Sequence, residues 1–141
     1  IVNELMPINK LNYLLAKSDF VVIACPLTPL TKNMINHKNL KLIRKTSYLI
    51  NISRGDIINE NDLVNSLKTK TIKGAALDVF SKEPLDNNSL FFDLDNVFIS
   101  PHISGNFKGY QESVIDSFAD NLNLYLSNKP LKNRVCKKRM Y

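Results

Sequence analysis

Three side chains, Arg54, Glu83 and His102, each follow a strand-like stretch, and their types suit the reduction of a keto acid. Arg54 stands between "NIS" and Gly55. A guanidinium there offers a fork of donors matched to a carboxylate, and it stays charged at any working pH. Glu83 lies in "DVFSKEPL". A residue before proline is held extended, which aims its carboxylate. His102 closes "NVFISPH" and is the candidate proton donor that titrates near neutrality. Hydride transfer between a nicotinamide and a 2-keto acid needs a cation for the substrate carboxylate and an acid for the carbonyl oxygen. A carboxylate beside that acid favours its protonated form. Each residue also has a plainer reading: Arg54 paired with Asp56, Glu83 as a solvated loop acid, His102 as a satisfied structural histidine. His37 has only the plain reading, at a helix start.

Positioning three such groups needs a scaffold that brings distant strand ends together, and the chain alternates helix-like and strand-like segments in that manner. "INKLNYLLAKS" carries Leu11, Leu14 and Leu15 at helical spacing. "DFVVIAC", Asp19 to Cys25, is a continuous apolar run, which predicts a strand buried on both faces. "NHKNLKLIRK" predicts a short helix with Asn36 as N-cap. "TSYLINIS" predicts a second buried strand. "NENDLVNSLKTK" predicts a helix capped by Asn59 or Asn61, with acids in its first turn and lysines in its last, as the helix dipole favours. "KGAALDVF" and "NVFIS" predict two further strands, and Gly74, Ala75 and Ala76 imply close approach by a neighbour. The last helix, within "FKGYQESVIDSFADNLNLYLSN", puts Tyr110, Val114, Phe118, Leu122 and Tyr125 on one stripe, expected to serve core or subunit contact. Strands alternating with helices imply a parallel sheet, with ligands at the carboxyl ends of its strands.

The chain has 141 residues, enough for one core, and its 44% hydrophobic and 23% charged content is that of a globular domain. No run is apolar and long enough to cross a bilayer. Cys25 and Cys136 are far apart with no CxxC spacing, which argues against a disulfide scaffold or a zinc site and suits a reducing, cytoplasmic setting. The net charge of +6 resides in the tail 129–141, which holds six basic residues and no acid. The remainder, 1–128, carries 13 basic and 13 acidic residues, so it is neutral. A solvated tail is preferred to a nucleic-acid-binding segment, because no aromatics interleave its charges. The chain opens on Ile1 rather than Met and has only four glycines, so a segment of a longer protein is expected.

The stretches "INISRGDIINENDLVNSLKTKTIKGAALDVFSKEPL" and "NVFISPHISG" closely resemble the D-isomer-specific 2-hydroxyacid dehydrogenases. The resemblance begins near Asp19 and runs through "YLSNKPLKNRVCKKRMY". It implies an α/β, Rossmann-like parallel sheet: the second mononucleotide-binding half plus a long C-terminal helix, without the N-terminal half. By resemblance, Arg54 binds the substrate carboxylate, Glu83 is the acidic partner and His102 the acid/base. Cys25, Pro26 and Thr31 match the loop along the cofactor's ribose and phosphate side. Ile52, Ser53 and Arg54 match the stretch facing the nicotinamide end, and Asp78 the carboxylate that accepts from its carboxamide. Ser104 and Gly105 match the turn after His102 that, with the histidine, also approaches the cofactor.

What the resemblance implies about function is an NAD-dependent oxidoreductase acting on a D-2-hydroxy acid or 2-keto acid, with NADP as the other possible cofactor, no metal, and a homodimer in the full-length protein. The family's substrate domain, its G-x-G-x-x-G turn and its ribose-binding acid are absent from this sequence, so the chain alone is expected to be inactive. A second reading is a dehydrogenase-like corepressor, in which the fold serves as a binding or dimerisation module. The presence of all three chemical side chains argues against it.

Overall fold

Asn36 and Asn59 each open a helix by turning a side-chain oxygen onto a backbone amide that no helical carbonyl can reach. The Asn36 oxygen accepts from Lys38 N–H, and Asn39 reciprocates onto the Asn36 amide at 2.8 Å, which starts α2 (His37–Leu40). Asn59, and not Asn61, caps α3 (Glu60–Lys68), accepting from Asp62 N–H at 3.1 Å. The computed structural model describes residues 2–139; Ile1 and the tail's Met140 and Tyr141 lie outside the described residues. The chain divides into two compact units, one ending at His102 and one beginning at Ile103.

In the first unit, α1 (Leu11–Lys17) leads into β1 (Phe20–Ile23), and α2 leads into β2 (Tyr48–Asn51). After β2, α3 leads into β3 (Gly74–Leu77), and β4 (Val97–Ile99) follows a short 3-10 turn at Leu90–Asp93. The four strands form one parallel sheet in the order β1-β2-β3-β4, with Phe20, Tyr48 and Gly74 in register. The parallel α/β expectation holds.

The expectation of strands buried on both faces does not. Along β1 exposed and buried residues alternate, and β2 alternates half-buried with buried. Val21, Ile23, Leu49, Ala75 and Leu77 join Leu15, Leu40, Leu63 and Leu67 of the helices in one core. Each such leucine gains about 1.5–3 kcal/mol by leaving water. On the other face Phe20, Val22 and Phe98 remain exposed. The cause is that the described helices of this unit supply one covering layer.

Gly74 meets the expectation of close approach: a Cβ there would lie 2.6 Å from the Asn96 carbonyl and 3.0 Å from the Tyr48 ring. That ring stacks on Phe20, with Lys73 Nζ above it at 5.2 Å. α2 is shorter than its sequence suggests, because the chain turns at Ile43, whose amide donates to the Leu40 carbonyl and whose side chain enters the core. α3 ends in a reverse turn: Lys70 N–H donates to Leu67 and Thr71 N–H to Ser66, with Lys70 at φ +52°.

The second unit contains α4 (Tyr110–Leu126), whose residues are none of them buried. The core expected along its stripe is therefore not formed within the described residues: Val114, Phe118 and Tyr125 are exposed. Beyond it, Lys132 Nζ pairs with Asp120 at 2.8 Å, and the other basic tail residues are exposed. Among the described residues no helix is long and apolar enough to cross a membrane.

Candidate active site

The carboxyl ends of β2, β3 and β4 are tied together by backbone. Asp78 N–H donates to the Asn51 carbonyl at 3.0 Å, and the Asp78 carbonyl accepts His102 N–H at 2.9 Å. His102 is thereby held against the end of β3, and it takes a left-handed backbone at φ +54°. For a residue with a Cβ this conformation costs about 1–2 kcal/mol, although histidine enters it more readily than most. Strain of this kind persists where the surroundings over-determine it.

The His102 ring meets Glu83, with Nδ1 2.7 Å from Oε2. The other carboxylate oxygen accepts the Phe80 amide at 2.9 Å. Both oxygens of Glu83 are thus occupied. The hydrogen bond from His102, then that from Phe80, hold the Glu83 carboxyl below the usual glutamate range against an opposing effect of burial, with smaller help from the charges of His102 and Arg54. Glu83 is a carboxylate at neutral pH, and it fixes which ring nitrogen of His102 faces away from it.

Arg54 lines a cleft with the pair, a space of about 320 Å³ lined also by Leu27, Asp56, Ser81, Glu83 and His102. Its Nη1 donates to the Ser53 carbonyl at 2.6 Å, and the rest of the fork is exposed to solvent. Gly55 is essential to this placement. A Cβ there would come within 1.9 Å of the Phe80 carbonyl carbon, so the turn bearing Arg54 can touch the turn bearing Glu83 only through glycine.

Asn51 was not singled out from the sequence, yet it shapes the Arg54 turn. It is 1% exposed, its Nδ2 donates to the Arg54 carbonyl at 2.9 Å and its Oδ1 accepts Ser53 N–H at 3.1 Å. The signal was present: an amide at the end of an apolar run must satisfy itself locally once buried. Ser100 is a second such residue, its hydroxyl donating to Asp78.

A second cleft of about 630 Å³ opens beside the pair, walled by Phe80, Leu85, Phe92 and Ile99 with Asp78 and His102. Asp78, 3% exposed, supplies a carboxylate to a mainly apolar space. Cys25 and Pro26 begin the loop after β1. Ser53 Oγ donates to the Cys25 carbonyl, and Thr31 Oγ1 donates to the Pro26 carbonyl at 2.7 Å. The Thr31 hydroxyl therefore builds this loop, accepting also from Thr28 N–H at 2.8 Å. Ile52 projects at the end of β2, its amide on the Ile23 carbonyl at 3.3 Å. Ser104 and Gly105 belong to the second unit. His37 lies apart, its amide and ring both on Asp62.

A buried acid among apolar walls suits an aromatic ring bearing a carboxamide, and a guanidinium sharing a cleft with a histidine–carboxylate pair suits a keto acid. A family profile described as D-isomer specific 2-hydroxyacid dehydrogenase, NAD binding domain, matches residues 2–104. A glyoxylate reductase of Pyrococcus horikoshii is 50% identical over 109 residues, covering 77% of this chain and 32% of that protein. The human glyoxylate reductase/hydroxypyruvate reductase is 38% identical, over 86% of this chain and 37% of its own length. Among solved structures, a D-isomer specific 2-hydroxyacid dehydrogenase from Xanthobacter autotrophicus, in complex with NADPH, superposes with a TM-score of 0.87 at 31% identity, covering 94% of this chain and 54% of that one. The chain spans about a third of the length of the curated relatives it matches.

Proposed function

This chain belongs to the D-isomer specific 2-hydroxyacid dehydrogenases, within their NAD-binding domain, and we propose that it supplies the acid/base half of an NAD(P)-dependent reductase of small 2-keto acids. The observation that carries this reading is the cleft that Arg54 lines together with the Glu83–His102 pair. Glyoxylate and hydroxypyruvate are the substrates we assign first, because relatives at 50% and 38% identity are named for them.

A nicotinamide cofactor, when bound, supplies the hydride. The residues present fit its nicotinamide end: Asp78 would accept from the carboxamide, Ile52 and Ser53 would line the ring, and the loop from Cys25 to Thr31 would flank the ribose side. Arg54 binds the substrate carboxylate through paired N–H donors and so orients the carbonyl. His102, with Nδ1–H directed at Glu83, presents Nε2–H to the carbonyl oxygen and donates that Nε2 proton as the oxygen gains charge. Glu83 stays ionised and balances the imidazolium. In the oxidative direction Nε2 takes the proton from the hydroxyl.

The test is steady-state oxidation of NADH and NADPH by the full-length gene product with glyoxylate, hydroxypyruvate and larger 2-keto acids. Turnover with the small acids is expected. Cofactor binding without turnover of any 2-keto acid would overturn the reading and favour a binding module.

A further inference from the structure

The turn that carries Glu83 is gripped from outside by a residue with no place in the chemistry described above. Glu60 is the first residue of α3, and both its carboxylate oxygens are spent on Ser81. Oε1 accepts the Ser81 amide at 2.6 Å, and Oε2 accepts the Ser81 hydroxyl at 2.7 Å. We propose that Glu60 is a positioning residue: by clamping Ser81 it sets the Phe80–Glu83 turn and therefore the meeting of Glu83 with His102. The significance of this for turnover rests on the function proposed above.

The clamp has a firm base. Asn59 caps α3, and its amide donates to the Ile35 carbonyl at 2.8 Å, so the residue before Glu60 is fixed to a neighbouring segment. It also has a direct route to the pair. Ser81 adjoins Phe80, whose amide donates to Glu83 Oε1 at 2.9 Å. Ser81 lies between that donor and Glu83 in the chain, so a movement of the Ser81 peptide displaces Glu83 relative to the Phe80 amide. Two other holds act on the same turn, the Phe80 ring packed against Phe91 and the Gly55 backbone contact. Both are steric and restrain translation. Glu60 supplies two directional bonds, which restrain orientation.

A simpler role for Glu60 is to oppose the dipole at the start of α3, a role it shares with Asp62. Charge separates the two. Glu60→Gln keeps an acceptor for the Ser81 amide and a polar partner for its hydroxyl, but removes the charge. Glu60→Ala removes everything.

The experiment is a carbon-detected NMR titration of the Glu83 carboxyl in this chain, assigned with Glu83→Gln, for the wild type, Glu60→Ala and Glu60→Gln, with thermal melts of each. The groups facing Glu83 are His102, Arg54 and the Phe80 amide. In Glu60→Ala the Glu83 midpoint should rise toward that of an ordinary glutamate, while Glu60→Gln keeps the wild-type midpoint. An unchanged midpoint in a folded Glu60→Ala overturns the positioning role and leaves the function proposed above intact. A Glu60→Gln midpoint equal to that of Glu60→Ala also overturns it, in favour of charge alone. Should Glu60→Ala fail to fold, Ser81→Ala takes its place, with a smaller rise expected and no rise overturning the proposal. A wild-type Glu83 that titrates as an ordinary glutamate would overturn both the clamp and the acid/base reading.

Discussion

His102 Nδ1 lies 2.7 Å from Glu83 Oε2, and the opposite oxygen of that carboxylate takes the Phe80 amide at 2.9 Å. A carboxyl whose titration is lowered in the folded chain stabilises the fold at pH values above its unfolded midpoint. That contribution is lost as pH falls through the lower, folded value. The loss from Glu83 therefore begins near pH 4.5, the ordinary glutamate value, and completes below it. Urea midpoints measured from pH 6 downward should fall less steeply in Glu83→Gln than in the wild type. Parallel slopes would mean the carboxylate gains nothing from its partners. Because the side chain is about a third exposed, solvent screening keeps the effect modest.

Arg54 and His102 should divide the kinetics between them. In the full-length gene product, Arg54→Ala should raise KM for the keto acid roughly ten- to hundredfold, the worth of a charge-assisted hydrogen bond. His102→Gln should lower kcat by about 10²–10⁴, the usual share of general acid catalysis, with cofactor affinity nearly unchanged. A KM unmoved in the first variant, or full turnover in the second, would reassign the residue concerned.

Gly55→Ala tests the contact between the two catalytic turns. Its Cβ would need the space of the Phe80 carbonyl carbon, 1.9 Å away, and backbone on both sides must yield. A loss of about 3 kcal/mol in unfolding free energy by urea titration is expected, the upper range of overpacking. A loss near zero would show that the two turns separate freely.

Lys70→Gly should stabilise the chain. Lys70 occupies the left-handed position that closes α3, at φ +52°, where a Cβ costs about 1 kcal/mol and glycine costs little. A rise of that size in the urea-derived stability is expected, partly offset by the greater freedom glycine brings to the unfolded chain. An unchanged or lower stability would show that the Lys70 side chain itself stabilises the turn.

The order of elements was legible because apolar runs bounded by Pro, Asn and Gly punctuate this chain clearly. Asn36 declared its helix, Asn59 or Asn61 the start of the next, and Gly74 its crowded neighbour. Burial was less legible. "FVVI" reads as apolar on both sides, and only the folded arrangement shows that Val21 and Ile23 face helices while Phe20 and Val22 do not. The 3-10 turn at Leu90–Asp93 was missed, since one short turn capped by Ser89 has no period to detect. The strand ends bearing Arg54, Glu83 and His102 could be read from residue type and place. The residues that orient them could not: Asn51 and Glu60 act through partners three and 21 positions away, and nothing local distinguishes them from ordinary polar residues.

At His102 the backbone and the ring answer to different demands. A φ of +54° is met most easily by Gly, Asn or Asp, and a histidine codon becomes an asparagine or aspartate codon by one base change. Asparagine at this position would sit comfortably in the same turn and could still donate to Glu83, yet it has no proton to lend a carbonyl oxygen. Architecture and reactivity are thus separately heritable here. A descendant carrying that exchange would inherit the sheet, the clefts and the clamp unaltered, and would have lost only the reaction.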